Sequence, residues 1–93
     1  MIVRFWEARV APGRLDDAVS WVCDWLRPRA KLIDGFVSDE LFVADGDDAA
    51  GQPPRVVLLT RWSQPPANLD TLEAVLPPDG SVERAHGWFF RSP

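Results

Sequence analysis

The chain has 93 residues, with ten Lys and Arg against fourteen Asp and Glu for a net charge of −4, and no basic stripe of the kind that nucleic-acid phosphates require. Its one cysteine, Cys23, has no partner for an internal disulfide and no Cys or His at metal-ligand spacing, which argues against a zinc site and fits a reducing compartment. Charges at Arg4, Glu7 and Arg9 interrupt the N-terminal apolar run, and nowhere do roughly eighteen uncharged apolar residues follow one another, so the expectation is a soluble, cytoplasmic protein with no nucleic-acid, membrane or metal partner.

Residues 1–10 mix β-branched and aromatic residues with charges, as a strand does when both faces meet something, and Ala11-Pro12-Gly13 ends the run. From Arg14 to Leu26 the apolar positions Leu15, Val19, Val22 and Leu26 recur at helical spacing, and Ala18 and Trp25 widen the stripe, which predicts an amphipathic helix covering a sheet. Pro28 should end or kink it, with a turn through Lys31 to Gly35. Residues 36–44 form a second strand, in which simple alternation places Phe36, Ser38, Glu40 and Phe42 on one face and Val37, Asp39, Leu41 and Val43 on the other. The acidic, Gly- and Pro-containing residues 45–54 read as a surface loop; Asp45, Asp47 and Asp48 lack the glutamate and flanking helices of a calcium loop. RVVLLTRW, residues 55–62, is near-continuously apolar and should be a central strand. A short helix is predicted over Asn68–Leu76, with Asn68 as N-cap and Leu69, Leu72, Val75 and Leu76 on one side, ended by Pro77-Pro78. Residues 82–91 complete the series as a fourth strand.

The order βαββαβ is that of a ferredoxin-like α+β fold: a four-stranded antiparallel sheet with both helices on one face, here one domain over residues 1–93. Val3, Phe5, Val57 and Leu59 would then lie on the uncovered face, which should not stay exposed in a monomer. A chain of this size buries only about 60% of the surface its unfolded form exposes, so size and face together predict a homodimer through the uncovered sheet.

Three segments, MIVRFWEARVAPGRLDDAV, DGFVSDELFVADGDD and RVVLLTRWS, carry a likeness that spans nearly the whole chain. They resemble the opening strand, Pro-Gly turn and helix, the G-x-x-S-x-E-L strand, and the R-W end of strand three in the antibiotic-biosynthesis-monooxygenase family of dimeric α+β barrels. The resemblance implies a pocket between helices and sheet, and it implies that Trp62 faces a ligand there. Haem-degrading members place an asparagine where Trp6 stands, and a ligating histidine on the second helix, where residues 68–76 have none; haem is therefore not expected. Quinone-forming members use asparagine, tyrosine and arginine about the substrate, whereas this chain has no tyrosine. Their chemistry needs no cofactor: a phenol or anthrone is deprotonated and itself reduces oxygen, so the protein must supply a base, a dry cavity and charge stabilisation.

If Trp6 and Trp62 face the helices, alternation places Arg4 with Trp6, and Leu58 and Thr60 with Trp62. On strand four His86, Trp88 and Phe90 share one face, and Ala85, Gly87 and Phe89 the other; the sequence leaves open which of the two meets the helices. With the first parity His86 is a candidate base, Arg4 a candidate charge stabiliser, and Trp6, Trp62 and Trp88 an aromatic substrate platform. With the second, His86 lies in the dimer interface or at its rim. Arg4 also has Glu7, Glu40 and Glu83 as prospective ion-pair partners, and Trp21 and Trp25, one turn apart, lie side by side. The functional expectation is a cofactor-independent monooxygenase-like enzyme acting on a small aromatic or polyketide-type molecule. The alternative is a non-catalytic dimeric module that binds a small hydrophobic ligand, or none, and acts as a structural or regulatory partner, and a convergent polar group in the pocket distinguishes the two.

Overall fold

A computed structural model describes residues 1–93. Strands β1 (Ile2–Val10), β2 (Phe36–Ala44), β3 (Arg55–Trp62) and β4 (Val82–Arg91) form one sheet in the order β2-β3-β1-β4, every neighbouring pair antiparallel. This is the ferredoxin-like arrangement. Strands β1 and β3 take the centre and are the more deeply buried strands, because central strands are covered on both sides.

One helical rod crosses the sheet: α1 (Leu15–Trp21), a π-helical turn over Val22–Leu26, and α2 (Arg27–Ala30). The helix thus passes through Pro28 rather than ending there. Arg27 N–H already donates five residues back, to Val22, and this widened turn gives the Pro28 ring room against the carbonyl of residue 24. Ala18, Val22 and Leu26 are buried against Trp6, Ala8 and Val10 of β1 and Val56 and Leu58 of β3, forming the core. The Arg27 guanidinium makes a two-pronged pair with Asp39 of β2, Nε to Oδ2 at 2.8 Å and Nη2 to Oδ1 at 3.0 Å, and ties the end of the rod to the sheet.

The register shifts between Phe36 and Ser38, and this bulge changes the simple alternation of β2. Phe36 joins Trp62 on the helix face, while Ser38, Glu40 and Phe42 lie on the open face. The second helix is shorter than its apolar pattern suggests: α3 spans Leu69–Glu73, and Val75 and Leu76 are exposed. Pro77 disfavours helical geometry at Leu76, which explains the early stop. Asn68 adopts left-handed φ 61° and makes no side-chain cap. No helix is long and apolar enough to cross a membrane.

Candidate functional site

The register of β4 resolves the parity. Trp6 faces Gly87, Ala8 faces Ala85 and Arg4 faces Phe89, whereas Glu7 faces His86 and Phe5 faces Trp88. Arg4, Trp6 and Trp62 therefore share the helix face, and His86 and Trp88 project from the opposite one. His86 and Arg4 do not meet. The exposed His86 ring lies beside Trp88, 5.9 Å between centroids, and Trp88 borders a hollow of about 370 Å³ with Phe5, Val57 and Phe90. A shallow hollow of about 530 Å³ continues along the same face past Val3, Leu59 and Arg61. These are saddles of an uncovered sheet, apolar in their greater part.

Trp62 is a core residue. It is fully buried, donates from Nε1 to Thr60 Oγ1 at 2.8 Å, and meets Phe36 edge-on at 5.6 Å. Trp6 is also buried, at 1% exposure, but its Nε1 has no hydrogen-bond partner. An unsatisfied buried donor is costly, about 1–3 kcal/mol, and so stands out in a packed interior. Trp6 lies 6.4 Å from Trp21 of the rod, which stacks on Trp25 at 5.2 Å and 12°, so the three indoles are successive neighbours.

Next to Trp6 the helix face carries an ion pair that sequence reasoning did not anticipate. Arg4 donates to Glu73 Oε1 from Nε at 3.0 Å and from Nη2 at 2.7 Å, with the two side chains 11% and 8% exposed. The acidic residues weighed as its partners are engaged elsewhere: Glu7 with Arg55, Glu40 with Arg61, and Glu83 with Arg9. Gly87 makes the arrangement possible. A Cβ at that position would collide with the Arg4 guanidinium, which lies directly on the β4 backbone and covers the Phe89 ring with its Cζ 4.4 Å from the ring centroid. Glu73 has a signal in the sequence after all, because Leu69, Leu72, Glu73 and Leu76 follow helical spacing and put an acid on the apolar stripe.

Arg4, Trp6, Asp70, Glu73, Ala85 and Gly87 contribute to a hollow of about 220 Å³ between α3 and the sheet, and the strand at His86 completes its wall although the imidazole points away. Burial pushes the Glu73 carboxyl above its usual range, overriding the lowering pull of Arg4, and Asp70 adds to the rise. The Glu73 Oε2 atom receives no hydrogen bond. The hollow on the open face is larger and more apolar, but this one holds the convergent charge and the shifted carboxyl that chemistry requires. No three His, Cys, Asp or Glu side chains converge as a metal would need.

No protein-family profile and no curated protein matches the sequence. The fold does have solved counterparts. A candidate antibiotic biosynthesis monooxygenase of Deinococcus radiodurans superimposes with a TM-score of 0.63 at 10% identity, over 100% of this chain and 93% of its own. The ActVA-Orf6 monooxygenase of Streptomyces coelicolor, in complex with the ligand nanaomycin D, superimposes with a TM-score of 0.60 at 15% identity, over 99% of this chain and 87% of its own. The likeness is one of fold, and the fold is that of the antibiotic biosynthesis monooxygenases.

Proposed function

We propose that this chain is a cofactor-independent monooxygenase-like enzyme, acting on the reactive edge of a small phenolic aromatic held in the hollow between α3 and the sheet. The observation that carries the reading is the Arg4–Glu73 pair, a convergent and nearly buried polar group on the helix face of a fold shared with a ligand-bound monooxygenase. A bland core would have apolar side chains there. The chemistry follows from substrate-activated oxygen reduction: loss of a phenolic proton makes the ring electron-rich, and a neighbouring CH₂ group reacts with O₂ to give C=O and H₂O. The carbon gives up four electrons, and dioxygen accepts them, one atom ending in the carbonyl and the other in water. Arg4 stabilises the developing phenolate. Its Nε and Nη2 are engaged with Glu73, while Nη1 has no protein partner and is free to donate. Trp6 and Phe89 supply the apolar and aromatic surroundings, and Trp62, packed on Phe36 and bonded to Thr60, belongs to the core rather than to the ligand.

The open face is the second part of the reading. Val3, Phe5, Val57, Leu59, Trp88 and Phe90 form an apolar sheet surface that suits a second copy of the chain in a two-fold dimer, with His86 at that interface or its rim.

Oxygen uptake with a panel of anthrones, whose reactive CH₂ lies between aromatic rings, tests the enzymatic reading. Uptake above spontaneous autoxidation, one O₂ per carbonyl formed, is the expected result. Binding without any catalysed uptake would return the chain to the non-catalytic, ligand-binding alternative.

A further inference from the structure

We infer that Glu73 is the proton acceptor of the hollow, taking the proton of a phenol or a similarly acidic hydroxyl on its free oxygen Oε2 while Arg4 holds Oε1. This rests on the proposed function and adds to it the group that His86, on the other face, does not provide.

The geometry differs from that of a pair built for stability alone. In the Arg27–Asp39 pair each carboxylate oxygen accepts one guanidinium N–H, at 2.8 and 3.0 Å. At Arg4 both N–H groups converge on one oxygen, and Oε2 is left without a donor. Oε2 is not fully buried, so it reaches the wall of the hollow and is open to an incoming O–H. Gly87 leaves room for this arrangement, since the guanidinium lies where any side chain at 87 would begin.

The transfer is balanced. The ligand O–H bond breaks, its electron pair stays on the ligand oxygen, and the proton bonds to Glu73 Oε2 to give a neutral acid. One negative charge moves from carboxylate to phenolate without changing the net charge beside Arg4, so the step avoids creating an uncompensated buried ion. The charged groups facing Glu73 are Arg4 from β1 and Asp70 from α3, while β4 contributes Gly87 and the Phe89 ring. A carboxyl whose pKa burial has raised is the better base for a phenol, because the two pKa values come closer together.

The probe is p-nitrophenol, whose absorption distinguishes phenol from phenolate, added below its own solution pKa to wild type and to Glu73→Gln. The wild type is expected to bind it as phenolate, and Glu73→Gln to lower the bound phenolate fraction about tenfold or more. A carboxyl ¹³C measurement on Glu73 in the wild type covers the case in which the variant does not fold, and it should move to the protonated-acid position as the probe binds. Equal phenolate in both proteins, neutral phenol in both, or an unmoved Glu73 carboxyl would each overturn the assignment while leaving the binding site standing. Failure of the wild type to bind phenols at all would overturn the proposed function, and this inference with it.

Discussion

Two carboxyls on the helix face respond to their surroundings in opposite directions. Arg27 holds Asp39 below the usual carboxylate range, so Asp39 contributes stability above the pKa of an unfolded aspartate and loses it as pH falls through the depressed value. Burial raises Glu73, so folding favours its protonated form. That contribution is complete below the pKa of an unfolded glutamate and is lost as pH rises through the raised value. Asp39→Asn should therefore destabilise the protein by about 2 kcal/mol at neutral pH, the cost of a charge-assisted hydrogen-bonded pair. The gap from wild type should close as pH falls below the carboxylate range. Urea-unfolding midpoints measured against pH check this, and a gap that stays constant into acid would show that the Arg27 pair is not its source. A parallel series on Glu73→Gln should show the opposite trend, with the variant gaining on the wild type as pH rises.

At the level of elements, β4 carries the most information. Its alternation sends Gly87 and Phe89 to the Arg4 side and His86, Trp88 and Phe90 to the open side. The open-side residues are exposed, Trp88 at 47%, and Phe90 meets Phe5 edge-on at 5.4 Å. If this surface joins two copies, the wild type sediments at twice the 10.4 kDa chain mass, and Trp88→Glu with Phe90→Glu returns it to a monomer without unfolding. A monomeric wild type would rule out the dimer, and a variant that remains dimeric would place the interface elsewhere. The elements themselves were legible because alternation and helical spacing are written in local order, as in Leu15 to Leu26 and in residues 55–62. Three local features were not. The bulge at β2 reverses Phe36, the π turn carries the helix past Pro28, and Pro77 shortens α3. The first two depend on where one backbone hydrogen bond goes, a choice that tertiary packing makes, whereas the third is the local restriction of Pro77 prevailing over the apolar pattern of Val75 and Leu76.

For the molecule as a whole, the fold was readable from the order of elements, whereas the site depends on contacts between residues far apart in the chain. Arg4 and Glu73 are 69 positions apart, and their meeting requires both the β1–β4 register and the docking of α3. The aromatic residues of β4 gave no guide, since both of its faces carry one or more of them. The two faces of the sheet differ in character: the helix face holds a charged hollow, and the open face an apolar surface. Indole N–H resonances report on both faces at once, because Trp6 lines the hollow and Trp88 stands on the open sheet. In ¹⁵N spectra of the five tryptophans, assigned by single Trp→Phe variants, a titration with a small hydroquinone should shift the Trp6 signal and leave Trp88 in place. A shift at Trp88 with Trp6 unmoved would put the ligand on the wrong face and contradict the site.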